Sequence, residues 1–240
     1  MASTQLTKKR VPASRSTVAM KYAMAVSGLI MVGYLILHMY GNLKVFGGQE
    51  AFDAYAHHLR TFGEPMLPYE GLLWIVRVAL LASVLVHAWA AITLWRRNKA
   101  AAGYSGGKRY HSSKGATGVQ RSYASFTLRW GGVIILVFIV YHLLHLTANV
   151  ISPGGASDSP YQRTVNGFEI WWVVLSYTIA VLAVGLHLWH GIWSALTTLG
   201  QNRSKTRLAS RLTPLAWFVS AVITIGFLLP PWAILLGITG

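Results

Sequence analysis

The sequence predicts an all-α integral membrane protein with five transmembrane helices, and three observations lead there. Hydrophobic residues make up 54% of the 240-residue chain and charged residues only 11%, whereas a soluble domain carries about 25% charged residues. Five stretches free of Asp, Glu, Lys and Arg (22–43, 78–95, 130–157, 170–202 and 212–240) approach or exceed the roughly 20 apolar residues that a bilayer crossing needs. The basic residues collect in alternate gaps between those stretches, as loops on one side of a membrane do.

Each element follows in order. The first helix is expected over 21–43, and it is retained, because it is too long for a signal-peptide core and lacks an obvious cleavage site. The second is expected over 71–95 and accepts Arg77 near one end. The third and fourth, 128–151 and 169–197, come from charge-free stretches longer than one span, so each stretch includes some loop. The fifth runs over 213–237. Pro65 and Pro68, then Gly103, Gly106 and Gly107, then Pro153, Gly154 and Gly155, then Pro214 punctuate the gaps. A membrane barrel would instead show short alternating segments with regularly spaced turns. The chain therefore reads as one membrane domain, 1–240, with a basic cytoplasmic tail over 1–20.

Charge sets the expected orientation. Of the 21 Lys and Arg, all but Lys44, Arg60, Arg77 and Arg163 fall in the tail, the second-to-third gap, the start of the third helix or the fourth-to-fifth gap. All six acids (Glu50, Asp53, Glu64, Glu70, Asp158 and Glu169) lie on the opposite side. The positive-inside rule then puts the N-terminus in the cytoplasm and the C-terminus outside. The net charge of +15 reflects this topology plus attraction to anionic lipid. A soluble nucleic-acid binder would not combine that charge with a mean hydropathy of +0.46. With no Cys, the chain itself holds no disulfide, thiolate zinc site or iron–sulfur cluster.

Ionisable residues inside a membrane mark candidate functional sites. No acid falls inside a span, Glu169 sitting at the very end of the fourth, which disfavours a carboxylate relay. Six histidines do: His38, His87, His142, His145, His187 and His190. Each alone is equally well read as a neutral imidazole bonded between helices. Position pairs them, however. At 1.5 Å rise per residue, His87 and His187 lie roughly 12 Å from the cytoplasmic ends of their helices, and His38 and His142 roughly 20–24 Å. Two layers result, each with a His from two different helices. Two imidazoles facing each other at one depth of a bundle are what a bis-His haem requires, and such a haem has no vacant position for oxygen and transfers electrons.

An internal repeat accompanies the layers. His87-Ala88-Trp89 and His187-Leu188-Trp189 share His-x-Trp, His38 precedes His142 by 104 residues, and His87 precedes His187 by 100. The third and fourth helices each offer two candidates three residues apart, on roughly one helix face. Depth prefers His187 to His190 and does not choose between His142 and His145. The second member of each pair can bond a propionate, orient a ligand or simply pack. Arg77 is a candidate for a propionate or quinone contact, or it snorkels to the outer interface. Ser27, Gly28, Gly33, Gly131, Gly132, Gly185 and Gly191 fit close helix packing and clearance for a flat macrocycle equally.

Together these residues resemble a known family, the five-helix, di-haem cytochrome b membrane anchor of succinate dehydrogenase and fumarate reductase. Ser27-Gly28, His38-Met39 and Asn42, then Gly48-Gln49-Glu50-Ala51-Phe52-Asp53 and Ala56-His57, look like its first helix and the loop that follows. Val86-His87-Ala88, Tyr141-His142 and the run from His187 through His190, Gly191 and Trp193 look like its remaining ligand motifs. The resemblance selects His142 over His145 and His187 over His190 as haem-iron ligands, pairing His87 with His187 and His38 with His142. It implies two haem b, a flavoprotein subunit, an iron–sulfur subunit, a membrane quinone and a bacterial inner (cytoplasmic) membrane. It places the complex in the respiratory chain and tricarboxylic acid cycle, with dicarboxylate chemistry on the partner subunits. Electrons leaving a negative interior gain about 2.3 kcal/mol per 100 mV, which suits a low-potential quinone such as menaquinone. Some members carry Glu two residues before the fourth-helix ligand to return protons; this chain has Gly185 there. Two rival readings are a hydrogenase- or formate-dehydrogenase-type cytochrome b anchor and a non-redox transporter with substrate-binding histidines.

Overall fold

The computed structural model describes residues 16–104, 118–202 and 210–239, with backbone alone at 101–104 and 118–126. Lys8, Lys9, Arg10, Arg15, Lys108, Arg109, His111, Lys114, Arg203, Lys205 and Arg207 lie outside the described residues, as does the Arg121 side chain.

The chain folds into α1 (Thr17–Leu43), a 3₁₀ turn (Lys44–Gly47), α2 (Gly48–Thr61), α3 (Gly71–Tyr104), α4 (Gly118–His142), a π-helical segment (Leu143–Thr147), α5 (Pro160–Phe168), α6 (Trp171–Thr198) and α7 (Leu212–Leu235). There is no strand among the described residues. Five helices are long and apolar enough to cross a membrane: α1, α3, α4 with the π segment, α6 and α7. The two ends of the bundle differ in charge. Lys21, Arg96, Arg97, Lys99, Arg129 and Arg211 mark a basic end, and the six acids mark an acidic end.

Helix ends depart from the charge-free windows, because a lack of charge locates apolar spans rather than the last backbone hydrogen bond. α1 starts at Thr17, where the Ser16 hydroxyl accepts from Ala19 N–H at 3.1 Å, rather than at 21. α3 continues through the Arg-Arg-Asn-Lys-Ala run to Tyr104 rather than stopping at 95, since those residues are mostly good helix formers. α4 begins at Gly118 rather than 128, and its span closes at Thr147 rather than 151.

Two acidic-end segments expected as loops are helices. Gly48, at φ +79°, turns the chain from the 3₁₀ segment into α2. α5 starts at a Ser-Pro signal: the Ser159 hydroxyl accepts from Gln162 N–H, and Pro160 occupies the first turn, where no N–H is needed. Asp53 joins the two helices. Its carboxylate accepts from Ser159 Oγ at 2.6 Å and from Tyr161 N–H at 3.0 Å.

α6 is the most buried of the five spans and packs against α1, α4 and α7; α1 packs on α3 and α7 as well. α3 and α4 do not pack closely along their described lengths. In lipid, contact between helices depends on van der Waals fit rather than on exclusion of water, and small residues supply it here. A Cβ at Gly185 would collide with Thr224 of α7, and one at Gly226 with Met39 of α1. The Gly185 carbonyl also accepts from Ser220 Oγ, so α7 closes over this position of α6. The main core lies at the acidic end, where Val45, Tyr161, Val165, Phe168, Val173, Val174, Tyr177 and Ile234 pack together. Two smaller clusters continue along the bundle, around Leu188, Ile192, Ala216 and Ile223, then around Met20, Ala90 and Leu94.

Candidate functional site

The packing order places α1 opposite α4 and α3 opposite α6 across the four-helix bundle. Both histidine pairs lie on these diagonals. The rings of His38 (α1) and His142 (α4) are 5.8 Å apart between centres and edge-on at 76°. Those of His87 (α3) and His187 (α6) are 6.1 Å apart and tilted at 59°. Two imidazoles sharing one metal ion, each about 2 Å from it through a ring nitrogen, have centres roughly 6 Å apart. Both separations meet that value.

At the basic-end pair, backbone positions the rings. The Met24 carbonyl is 3.0 Å from His87 Nδ1. A carbonyl only accepts, so Nδ1 carries the proton and Nε2 keeps its lone pair. An added Cβ at Gly28 would sit 3.3 Å from His87 Cε1, so glycine lets the ring lie against α1. The second half of the chain repeats this arrangement in part. The glycine is what recurs: an added Cβ at Gly132 would sit 3.7 Å from His187 Cε1, while His187 Nδ1 is buried without a hydrogen-bond partner. Gly28 and Gly132, like His38 and His142, are 104 residues apart. The shared His-x-Trp tripeptide thus marks a partly repeated setting: a glycine of the neighbouring helix lies near each ring, while a carbonyl partner is seen at His87 alone of the two.

The acidic-end pair sits among side chains. Tyr34 stacks on His38 at 5.2 Å and 12°, and Phe227 of α7 lies 5.6 Å away. Phe138 is 5.7 Å from His142, and the Tyr177 hydroxyl is 3.3 Å from His142 Nδ1. Tyr177 was not among the residues singled out from sequence. Its one signal is spacing: it precedes His187 by ten residues, as Arg77 precedes His87, and so lies level with the acidic-end pair.

His145 and His190 differ from the other four. Both are buried, at 2% and 6% exposure, while the four paired histidines are half-buried. The π segment at 143–147 widens the turn after His142, so His145 does not share its face as a regular i, i+3 pair would. His145 points instead at α5 and α6, with Nδ1 3.0 Å from the Tyr177 hydroxyl and the ring edge-on to Phe168. His190 Nδ1 donates to Leu186 O of its own helix at 3.1 Å. Arg77 bends toward the acidic end, pairing with Glu70 at 3.3 Å and lying over Trp74 at 4.9 Å. That is the snorkelling geometry.

Among the described residues, no group of three or more His, Asp or Glu could hold a metal ion. Two facing imidazoles suffice only where a cofactor brings the remaining ligands, as a porphyrin does. The half-buried rings, the fixed His87 tautomer and the glycines at Gly28 and Gly132 all fit such a group. A separate open cleft of about 400 Å³ at the acidic end is lined by residues including Asp53, His57, Arg60 and Asp158. Two of these are already engaged, Asp53 in capping α5 and Arg60 in pairing with Glu70. The chain matches no protein-family model, no curated protein and no solved structure.

Proposed function

We propose that this chain is the di-haem cytochrome b membrane anchor of a succinate:quinone oxidoreductase, passing electrons between an iron–sulfur subunit and a membrane quinone. One observation carries the reading: two His–His pairs, each spanning a diagonal of the same four-helix bundle with the ring separation of a shared axial site. Haem b, when bound, supplies a one-electron carrier at each pair. The chain's own residues hold and orient it. His87 and His187 would hold the haem nearer the cytoplasm, and His38 and His142 the outer one. The carbonyl of Met24 fixes the His87 tautomer, leaving the Nε2 lone pair as the one that would bind iron.

The orientation comes from the basic end, whose Arg and Lys side chains face the cytoplasm and offer a surface to an acidic partner. The N-terminus is then cytoplasmic, in the inner membrane of a bacterium, and the C-terminus lies outside. The quinone is menaquinone, and a flavoprotein subunit completes the enzyme. His145, His190 and Arg77, each also bonded within the chain, are the propionate or quinone contacts of this reading.

A pyridine haemochrome assay on the detergent-solubilised chain checks the reading, with two non-covalent b haems per chain expected. One haem would remove one pair from the proposal, and none would remove the function. Co-purification separates the related possibilities. A covalent-flavin subunit and an iron–sulfur subunit are expected, and hydrogenase or formate dehydrogenase subunits in their place would reassign the anchor.

A further inference from the structure

We infer that Tyr177 is a positioning residue for the acidic-end pair, its hydroxyl ordering the protons of His142 and His145 into one directed chain. The inference rests on the reading above, in which His142 is an axial ligand. The Tyr177 hydroxyl lies 3.3 Å from His142 Nδ1 and 3.0 Å from His145 Nδ1. A phenol has one proton to give and lone pairs to receive with. Both imidazoles cannot accept from it at once. If both donated, the hydroxyl proton would be left in a packed core, at about 1–3 kcal/mol for an unsatisfied buried group. One ring therefore donates and the other accepts.

Ligation decides which. His142 faces Tyr177 with Nδ1, so it meets a metal through Nε2, and Nδ1 must carry its proton. The direction is then His142 Nδ1–H to Tyr177 oxygen, and Tyr177 O–H to His145 Nδ1. The tyrosine cannot swing away, because Phe138 and Phe168 hold its ring edge-on at 4.9 and 4.8 Å. Gly167 leaves His145 its place, since an added Cβ there would come within 2.6 Å of His145 Nε2. An acceptor on Nδ1–H makes an imidazole a stronger donor to its metal, which favours the ferric form of the outer haem. The buried His145, which lies off the diagonal, thereby acquires a role through Tyr177.

The test uses Tyr177→Phe, which keeps the ring and removes the oxygen, in the purified full-length complex. Both haems should remain. Redox titration should show the outer component more easily reduced, its ferric-to-ferrous equilibrium shifted between about twofold and tenfold, as one net hydrogen bond can do. Tenfold corresponds to 59 mV for one electron. The inner component should not move. His145→Ala should shift the outer component in the same direction by less, and should add nothing in the Tyr177→Phe background. An unchanged outer potential in Tyr177→Phe with both haems bound would overturn the inference. So would an undiminished effect of His145→Ala in the double variant. A wild-type complex with no haem on His142 would remove the functional reading and this inference together, whereas the two preceding results remove the inference alone.

Discussion

The two histidine pairs occupy equivalent diagonals of one bundle and are held in different ways. At the basic end, main-chain atoms and glycines set the rings: the Met24 carbonyl and Gly28 for His87, and Gly132 for His187. At the acidic end, side chains do it, with Tyr34 and Phe227 around His38 and Phe138 and Tyr177 around His142. A backbone-built setting follows from helix register and survives duplication of the chain segment. A side-chain-built one can be tuned residue by residue. The two halves are alike where backbone sets the rings and differ where side chains do: level with the acidic-end pair, α3 carries Arg77 and α6 carries Tyr177.

The strongest way to break this comparison is ligand removal. His87→Ala should abolish the inner haem, one of the two, and leave the outer spectral component in place; His38→Ala should do the converse. Low-temperature difference spectra check this, and loss of the same component in both variants would end the two-pair scheme. Next in size is Gly167→Ala. The new methyl would drive the His145 ring from its bond to Tyr177, and overpacking of this kind costs about 1–3 kcal/mol. A lowered unfolding temperature with disturbance confined to the outer component is expected.

A smaller effect sharpens the contrast within the repeat. Gly132→Ala meets only ordinary contact, and alanine in a helix interior gains roughly 0.5–1 kcal/mol over glycine. Gly28→Ala meets His87 Cε1 at 3.3 Å and should forfeit that gain. Parallel thermal melts of the two variants would show Gly132→Ala above Gly28→Ala, and the reverse order would mean the halves are not related as described. The smallest effect belongs to Arg77→Gln. Its pairing with Glu70 is partly exposed, and such pairs contribute at most about 1 kcal/mol, less at high salt. Unfolding at two ionic strengths should show a minor difference that narrows with salt.

The sequence already showed the five spans, because apolar runs without charge are hard to arrange in any other way. It did not show α2 and α5. α2 buries no residue fully and α5 is only nine residues long, with Tyr161, Val165 and Phe168 in the main core, and both depend on contacts between segments distant in sequence, such as Asp53 with the start of α5. The depth argument brought His38 to His142 and His87 to His187, since helix rise converts sequence position into height. It could not separate His142 from His145. That distinction comes from the π segment, a local change of hydrogen-bond register with no compositional mark. Tyr177 was hidden for a related reason: a tyrosine within an apolar helix looks like any other until its hydroxyl is seen between two rings.

Each pair also takes one member from each half of the chain, and this has a consequence in time. A ribosome adds roughly 5–20 residues per second. His38 is therefore made about 5–20 s before His142, 104 residues later, arrives opposite it. The acidic-end pair is complete in the chain before His187 exists, and the basic-end pair waits a further 45 residues. The first two spans must therefore persist in the membrane as a hairpin with unmatched imidazoles. The packing of α1 on α3 around Met20, Ala90 and Leu94 is what they have to hold them while the second half is still being made.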